Sequence, residues 1–491
     1  MSELKLLSKE VVNKKNGKIR IMQFGEGNFL RAFVDWMIQK MNDSGEYDGH
    51  VVVVQPLENG RIKELQDQDG LYTLILQGIN ENGEAVKTHQ VIDVLDDFVN
   101  PYTEFSKFLK YAESKDLEVI ISNTTEAGIV FEPKDVTCDL NYQTPISYPG
   151  KLLALLKRRY ITLGKDVGFA ILPCELIDDN GDKLKEVVLR LARERRESAG
   201  FIEYIEKTCH FTSSLVDRIV PGFPRDEFKE LCEEYGYIDN NMVKGEYFNL
   251  YVLKKEEYIQ KVFPVDKFKC NAIYVDDVHP YKQRKVRILN GTHTALVPVA
   301  YLAGCNEVRE SLLNETIGEF ISNLMNNEIT PTVTTSDALE FANAVKNRFL
   351  NPYVHHALMS IALNSLSKFK ERDLPTLLDN IKAGKTPTHL LFSLACLIKF
   401  YFGYRVVNGT KEEIKLSDNQ AYLNFFKVVK EEYEENKDLK EVTKLVLGNF
   451  DIWDKDLSKE PVIFEKVHEY LEELFANENT LEVVKEFNLH E

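Results

Sequence analysis

The sequence predicts an α/β protein: a doubly wound sheet domain over residues 1–280, followed by a mostly α-helical domain over residues 281–491. Three observations predict this arrangement. Strand-like apolar runs alternate with amphipathic helical segments in the first half of the chain. From Lys282 onward the strand-like runs thin out, and helical segments follow one another. At 491 residues the chain is also too long for a single hydrophobic core.

The first predicted strand enters a glycine-containing turn. Ile19 to Phe24 is a short apolar run, Gly25 and Gly27 follow it, and helical periodicity begins shortly afterwards. A strand, a glycine turn and a helix form the context in which such glycines indicate dinucleotide binding, as in a Rossmann-type domain. Gly25 would permit the tight turn, and Gly27 would let the backbone approach a pyrophosphate. Leu30 replaces the usual third glycine, so a turn without a ligand is the alternative interpretation.

The second predicted strand bears on which dinucleotide binds. Val51 to Val54 is a β-branched run, as expected of a buried parallel strand. A Rossmann-type unit places an acid at the end of this strand to hold the adenosine ribose, whereas this strand ends in Gln55. The neutral side chain leaves NAD and NADP open. Arg61 is either a ligand for a 2′-phosphate or a solvated helix residue.

Further strands complete the predicted sheet domain. Two of them flank a turn at residues 80–83 as an antiparallel insertion, and a third ends in small polar residues, where such sheets bind ligands. A helix from Lys151 to Tyr160 precedes the last strand. The four strands are Leu71–Gln77, Ala85–Val94, Leu117–Asn123 and Val167–Pro173.

Composition and charge exclude several classes of protein. A net charge of −17 without long basic runs argues against a nucleic-acid partner. The scattered cysteines form no Cys-x-x-Cys pair, which is typical of reduced thiols in a cytoplasm. The sequence has no apolar run long enough for a membrane span, no secretion signal and no metal-ligand spacing such as His-Glu-x-x-His. We therefore expect a cytoplasmic protein without a membrane partner or a metal.

Three polar residues near the start of the second domain could meet on one side of a helix. At roughly 100° per helical residue, Asn290 and His293 are about 60° apart, and Lys285 lies within about 140° of both. An amine, an amide and an imidazole can supply proton transfer, a hydrogen bond to oxygen and orientation of the substrate. These are the needs of a metal-free site that interconverts an alcohol and a carbonyl. The alternative is a solvated basic face over Lys282–Arg287.

An acid and a base lie side by side within the apolar run Phe211–Pro221. Asp217 and Arg218 would be costly to bury unpaired. They are therefore expected either to pair with each other and a further partner or to border a site.

Taken together, these motifs resemble the polyol-specific long-chain dehydrogenases, the mannitol dehydrogenase family. The resemblance covers nearly the whole chain. It is carried by Lys285-x-x-x-x-Asn290-x-x-His293, Gly25–Arg31, Asn123–Gly128, Val216–Arg218 and Arg348–Pro352. Within the family, the most similar branch acts on D-tagaturonate and D-altronate, and the segments that indicate it are Phe24–Trp36, Val51–Pro56 and Pro173–Ile177.

The resemblance implies a reversible, NAD-linked reduction of the sugar acid tagaturonate to altronate without a metal. It also implies an NAD-binding Rossmann-type domain followed by a mostly helical substrate domain. Fructuronate reduction, mannitol oxidation and a non-catalytic nucleotide sensor are the alternatives. The intact set of Lys285, Asn290 and His293 argues against a sensor, which needs no general acid. Monomer and homodimer both stay open.

The resemblance also assigns roles to individual residues. Lys285 is implied to be the general acid/base, Asn290 a donor to the substrate oxygen, and His293 the residue that orients the substrate and steadies the lysine. Asp217 is implied to line the substrate pocket. Sugar-alcohol members carry a second asparagine where this chain has Leu176, a departure that places more of the stabilisation of the oxygen on Asn290.

The remaining expected contacts concern the cofactor and the substrate carboxylate. A uronate carboxylate requires a cation, ideally an arginine for bidentate geometry. Arg348, Lys368 and Arg372 are candidates because they lie in the segment that resembles the family's substrate wall. The residues expected to bind the cofactor are Phe24, Gly25, Gly27, Asn28, Phe29, Arg31, Gln55, Asn123 and Thr124.

Overall fold

The computed structural model of the protein describes residues 4–125 and 127–491, which divide into two compact units. The first unit comprises Met1–Gly78 and Val86–Val278, and the second comprises Ile79–Ala85 and His279–Glu491. The domains 1–280 and 281–491 remain our proposal for the functional division of the chain.

The chain up to Val278 alternates strands with helices. Its strands are β1 (Ile19–Phe24), β2 (His50–Val54), β3 (Tyr72–Ile79), β4 (Ala85–Ile92), β5 (Leu95–Val99), β6 (Val119–Ser122), β7 (Ala170–Pro173), β8 (His210–Phe211), β9 (Ser214–Asp217), β10 (Val243–Glu246), β11 (Leu250–Lys254) and β12 (Ala272–Val275). Its helices are α1 (Asn28–Arg31), α2 (Val34–Asp43), α3 (Ile62–Gln66), α4 (Phe105–Lys110), α5 (Tyr148–Leu163), α6 (Asn180–Glu194), α7 (Ala199–Lys207), α8 (Phe228–Tyr235) and α9 (Glu257–Val262). Short 3₁₀ turns lie at Tyr111–Glu113, Pro133–Val136 and Val265–Lys267.

The main sheet of the first unit is parallel, with the strand order β5-β2-β1-β6-β7-β8. Successive residues of its central strands face opposite sides, because side chains alternate along a strand. Ile21 and Val51 pack into one apolar core, whereas Met22 and Val52 pack into another on the opposite face. The predicted doubly wound α/β fold is confirmed.

Smaller sheets extend this unit. The predicted strands of the insertion form β3 and β4, which lie with β10 in the order β10-β3-β4. A further sheet has the strand order β12-β11-β9, and its strand β9 ends at Asp217. Strand β5 was not predicted, because two aspartates interrupt its apolar pattern Leu-Asp-Asp-Phe-Val. One of them, Asp97, accepts a hydrogen bond of 2.8 Å from the Lys107 ammonium, which allows an acid at this strand position.

The second unit is mostly helical, as predicted. Its α-helices are α10 (His279–Arg284), α11 (Thr292–Leu302), α12 (Val308–Leu313), α13 (Glu315–Asn323), α14 (Ala338–Phe349), α15 (Leu358–Ile361), α16 (Ser365–Arg372), α17 (Leu374–Lys382), α18 (Thr388–Phe400), α19 (Gln420–Asn436), α20 (Leu439–Leu447), α21 (Phe450–Trp453), α22 (Pro461–Ala476) and α23 (Thr480–His490). Two π-helical segments span Lys285–Gly291 and Leu324–Ile329, and 3₁₀ turns lie at Thr330–Thr332 and Leu457–Lys459.

A hairpin of β13 (Tyr404–Val407) and β14 (Thr410–Glu413) departs from the prediction of helices alone. Asn408 and Gly409 form its turn, both with positive φ, which is the residue pair that a two-residue hairpin favours. Helix α18 lies almost entirely within the apolar core. Across the described residues, no helix is long and apolar enough to cross a membrane.

Candidate active site

A cavity of about 840 Å³ opens in the first unit beyond the carboxyl ends of central strands of the sheet. The segments that line it follow β1, β2 and β6, including Gly25–Asn28, Pro56–Leu57 and Asn123–Thr125. Strand β1 lies between β2 and β6, so the direction in which the chain adds strands reverses here. Open α/β sheets bind ligands at this type of position.

Gly25 gives the turn after β1 its shape. Its backbone has a φ of +123°, which side chains rarely permit, and a Cβ atom there would lie 3.2 Å from the Asn123 carbonyl oxygen. The Gly25 amide donates to the Val54 carbonyl at 3.1 Å, and its own carbonyl accepts from Gln23 Nε2 at 3.0 Å. Hydrogen bonds thus hold the turn to β2 and to the buried side chain of Gln23.

Gly27 has a different role. Its φ of −68° is accessible to any residue, and a Cβ atom there would have no heavy atom within 4 Å. Packing within the chain therefore does not require glycine, but a side chain would project into open space beside the cavity. This open space fits the close approach of a dinucleotide pyrophosphate to the backbone.

The two glycines are expected to respond differently to alanine. Gly27→Ala should weaken NADH binding by about tenfold or more without changing the melting temperature, since it obstructs only the ligand. Gly25→Ala should lower the melting temperature as well, because alanine is strained at this φ. Fluorescence titration with NADH and thermal melting of both variants would test this. Unchanged NADH affinity in Gly27→Ala would contradict it.

Most of the residues predicted to bind the cofactor line the cavity, namely Gly25, Gly27, Asn28, Arg31, Asn123 and Thr124. The structure does not bring three others there through their side chains. Phe24 packs against Phe108 and Tyr148, and Phe29 stacks on Phe33. Gln55 is buried, and its carboxamide donates to the Leu57 and Glu58 carbonyls of its own turn. The side chains of Phe24 and Phe29 thus pack within the protein, and that of Gln55 stabilises its own turn.

Arg31 lines the cavity but is already engaged by the protein. Its guanidinium donates to the Glu26 carbonyl at 3.2 Å, to Asn28 Oδ1 at 2.7 Å and to the Asn241 carbonyl at 2.5 Å. It also lies over the Tyr72 ring, 5.1 Å from the ring centre, within the range of a cation–π contact. Burial lowers the pKa of Arg31 from its usual value. Arg31 therefore braces the glycine turn.

Glu175 was not predicted as a site residue, although it lies in the segment Pro173–Ile177 at the end of β7. Its carboxylate is buried and accepts from both the backbone N–H and the hydroxyl of Thr124 at 2.9 Å, and from Ser122 Oγ at 3.1 Å. Burial raises the pKa of Glu175, against the opposing effect of these hydrogen bonds. The carboxylate thus fixes the turn after β6, where Asn123 and Thr124 face the cavity. Leu176, beside it, is 62% exposed.

Lys285 begins a π-helical segment, so the predicted α-helical angles do not apply. A π-turn is closed between residues five apart. Lys285 and Asn290 therefore lie about one turn apart along the same side, where an α-helix would rotate them well away from each other. Such π-segments often occur at functional sites. His293 follows in α11, one residue after the π-segment gives way to an α-helix.

The alternative of a solvated basic face over Lys282–Arg287 is wrong for its two arginines. Arg284 is buried, pairs with Asp337 and lies over the Phe341 ring. Arg287 is also buried and donates to Asp379 Oδ2 at 2.6 Å. Both guanidinium groups anchor this helix within the second unit.

His293 lies at the centre of a group of aromatic and basic side chains. Its ring stacks on Phe349 at 4.2 Å and meets His356 edge-on at 5.1 Å. Burial lowers the pKa of His293 well below its usual value, and the charges of His356, Arg348, Arg372 and Lys368 lower it further. The imidazole is therefore neutral at ordinary pH. Within the described residues, its buried Nε2 has no hydrogen-bond partner.

Two of the predicted carboxylate ligands, Lys368 and Arg372, lie on helix α16. Arg372 Nη1 donates to Thr294 Oγ1 at 3.1 Å, and Lys368 Nζ donates to the Ile361 carbonyl at 2.8 Å. Burial lowers the pKa of both groups, and the charge of Arg372 also lowers that of Lys368. Arg372 thus contacts Thr294, which follows His293 in the chain, and the charges of Lys368, Arg372 and Arg348 at the end of α14 all lower the pKa of His293.

Asp373 follows Arg372 in the chain and was not predicted as a site residue. It is buried, and a Cβ atom on Gly291 would lie 2.8 Å from its Oδ1. Burial raises the pKa of Asp373 well above its usual value, while the charge of Arg372 opposes that shift. A side chain at position 291 would therefore require the Asp373 carboxyl to move.

Asp217 and Arg218 lie in the first unit. Asp217 is buried at the end of β9. Arg218 donates to the carbonyls of Ala32, Tyr247 and Phe248 and lies 4.4 Å from the Trp36 ring centre. Burial lowers the pKa of Arg218 to about 9. Arg218 is thus a structural residue, whereas Asp217 remains a predicted substrate contact.

Comparison with known proteins identifies both parts of the chain. The family model described as the mannitol dehydrogenase Rossmann domain matches residues 19–267, and the one described as the mannitol dehydrogenase C-terminal domain matches residues 277–475. Similar curated proteins include altronate oxidoreductase of Escherichia coli O6:K15:H31 (strain 536 / UPEC), which is 44% identical over 91% of this chain and 92% of its own length. Altronate oxidoreductase of Shigella flexneri is 43% identical over the same shares.

Solved structures with the same fold are more distant in sequence. A substrate-free D-sorbitol dehydrogenase has a TM-score of 0.79 and 20% identity, covering 97% of this chain and 99% of its own. The Pseudomonas fluorescens mannitol 2-dehydrogenase complex with NAD and D-mannitol has a TM-score of 0.63 and 20% identity, covering 99% and 97%. At this identity the likeness concerns the fold.

Proposed function

The chain belongs to the mannitol dehydrogenase family, and from this premise we propose that it is an NAD-dependent dehydrogenase that interconverts D-altronate and D-tagaturonate. The curated relatives named altronate oxidoreductase support this substrate, since they match over nine-tenths of the chain at 43–44% identity. We assign nucleotide binding to the first domain, residues 1–280, and substrate binding with catalysis to the second, residues 281–491.

The observation that carries the substrate assignment is the group of cations around His293. Arg372 Nη1 donates to Thr294 Oγ1, next to His293, at 3.1 Å, and the charges of Arg348, Lys368 and Arg372 all lower the pKa of the His293 imidazole. A site for an uncharged polyol has no need of three cations, whereas a sugar acid presents a carboxylate that pairs well with them. The local positive charge also attracts an anionic substrate to a protein whose net charge is −17.

The reaction requires hydride transfer and proton transfer at one carbon. Bound NAD supplies the hydride acceptor, and its reduced form supplies the hydride. Lys285 donates a proton to the carbonyl oxygen during reduction and accepts it during oxidation. Asn290 donates a hydrogen bond to the same oxygen as negative charge develops there. Both roles agree with their placement one turn apart on the π-segment.

His293 and Asp217 complete the proposed substrate contacts. A neutral imidazole can donate or accept a hydrogen bond with a sugar hydroxyl without adding a charge. Asp217, as a carboxylate, would accept hydrogen bonds from hydroxyl groups of the substrate. The Gly25–Arg31 turn, Asn123 and Thr124 would hold the dinucleotide, and the cavity and the open space at Gly27 support that assignment.

The proposed activity is tested by following NADH oxidation with tagaturonate, fructuronate and fructose in parallel. We expect the highest kcat/KM with tagaturonate. Fructuronate differs from it in configuration at one centre, so a higher value with fructuronate would assign the enzyme to the fructuronate branch. Activity with fructose alone would contradict a role for the cations. NADH binding without turnover of any of the three would support a nucleotide sensor.

A further inference from the structure

The end of β2 lacks the acid that normally recognises NAD. In a Rossmann-type unit an acid at this position binds the adenosine ribose hydroxyl and excludes the 2′-phosphate of NADP. Gln55 stands there instead, is only 3% exposed, and donates its amide hydrogens to Leu57 and Glu58 of its own turn. Its side chain is thus committed to the turn. Recognition of the adenosine ribose must come from another residue.

Glu26, in the glycine turn after β1, contacts the turn after β2. It lies between Gly25 and Gly27, and its Oε1 accepts a hydrogen bond of 3.0 Å from the backbone N–H of Arg61. A Cβ atom on Gly60 would lie 2.6 Å from the same oxygen. The carboxylate therefore bridges the glycine turn after β1 and the turn after β2, which are the two segments that flank the adenosine ribose in this fold. It also lines the cavity.

We propose that Glu26 selects NAD over NADP by taking the place of the missing acid at the end of β2. A carboxylate has about four lone-pair positions, and the Arg61 amide uses one of them. The remaining positions can accept hydrogen bonds from the ribose hydroxyls. A 2′-phosphate would bring two negative charges against the same carboxylate and lose one of those donors.

Arg61 does not reverse this preference. Its side chain is exposed, and it borders the same part of the cavity as Glu26. An exposed guanidinium attracts a phosphate only weakly through solvent. The Glu26 carboxylate, which is partly buried and held by the Arg61 backbone, opposes that attraction at short range.

The test measures binding of NADH and NADPH separately, without a sugar, to the wild type and to Glu26→Gln. We expect the wild type to prefer NADH, and Glu26→Gln to shift the ratio of dissociation constants toward NADPH by about tenfold or more, since a charged hydrogen bond is lost and a repulsion is removed. Glu58→Gln is the matched control, because Glu58 is an exposed acid on the same turn whose side chain makes no such bridge among the described residues. The ratio of dissociation constants for this variant should stay that of the wild type.

Several outcomes would overturn the proposal. Equal weakening of both nucleotides would make Glu26 a brace of the two turns only, and an unchanged ratio would remove it from recognition. A wild type that prefers NADPH, or binds neither nucleotide, also excludes the role. If Glu26→Gln does not fold, Glu26→Asp retains the charge but shortens the side chain, and it should weaken NADH while still excluding NADPH; unchanged NADH affinity would contradict this.

The role of Glu26 presupposes a nicotinamide-dependent enzyme, but the two proposals fail in different ways. Preferential NADH binding that depends on Glu26, without turnover of tagaturonate, would leave nucleotide selection intact and contradict only the proposed substrate. Turnover of tagaturonate with an unchanged nucleotide ratio in Glu26→Gln would do the reverse.

Discussion

Replacing Lys285 with alanine is expected to lower kcat for tagaturonate reduction by about 10²- to 10⁴-fold, the usual contribution of a positioned general acid. The Kd of NADH should stay close to that of the wild type, because the nucleotide cavity is lined by residues of the first unit, whereas Lys285 lies in the second. Steady-state rates with saturating NADH, together with a fluorescence titration of NADH, measure the two effects separately.

The control for Lys285→Ala is Lys382→Ala, which removes an exposed lysine from the end of α17 in the same unit. It should retain full activity. Added methylamine should restore part of the rate of Lys285→Ala, since a free amine can take the position of the missing side chain and supply the proton. A purely structural role would show no such rescue. A Lys285→Ala variant that keeps most of its kcat would exclude the lysine as the general acid/base.

The segment that carries the proposed catalytic residues shows what the sequence could and could not predict. The types of Lys285, Asn290 and His293 predict a metal-free site for proton transfer, with a solvated basic face as the alternative. The predicted orientation of these residues holds for an α-helix, but residues 285–291 form a π-segment. A π-segment depends on tertiary packing, here including the buried Asp373 against Gly291, and short-range periodicity carries no signal for it.

Residues of the nucleotide site divide in a similar way. The glycine turn after β1 was predicted because strand, glycines and helix are local features of the sequence. Glu175 and Glu26 were not recognised, since their roles depend on contacts with segments distant in the chain, at Thr124 and Arg61 respectively. The sequence also could not predict that the Gln55 side chain bonds to its own turn, because these hydrogen bonds depend on how that turn is folded. Neighbouring residues predict a motif, and three-dimensional contacts decide which side chains remain available to a ligand.

Replacing Arg372 with methionine is expected to lower kcat/KM for tagaturonate by about 10- to 150-fold, mainly through a higher KM, because a charged hydrogen bond to a carboxylate contributes about 1.5–3 kcal/mol. Methionine keeps a long apolar side chain but removes the charge and all five N–H donors. Among the described residues, a single hydrogen bond, from Nη1 to Thr294 Oγ1, holds the guanidinium in position. The kcat/KM of Arg372→Lys should fall between those of the wild type and Arg372→Met, since lysine restores the charge but not the forked geometry of the guanidinium.

The decisive measurement compares a charged with an uncharged substrate. If Arg372 binds the carboxylate, Arg372→Met should lose little activity toward a neutral ketose such as fructose, so the ratio of the two kcat/KM values should fall. Lys370→Met is the matched control on the same helix, because Lys370 pairs with Asp454 at 2.9 Å and lies outside the His293 group. Equal losses with both substrates would show that Arg372 supports the fold of α16, and the carboxylate would then be assigned to Arg348 or Lys368. The three cations around His293 are thus separable by experiment, one side chain at a time.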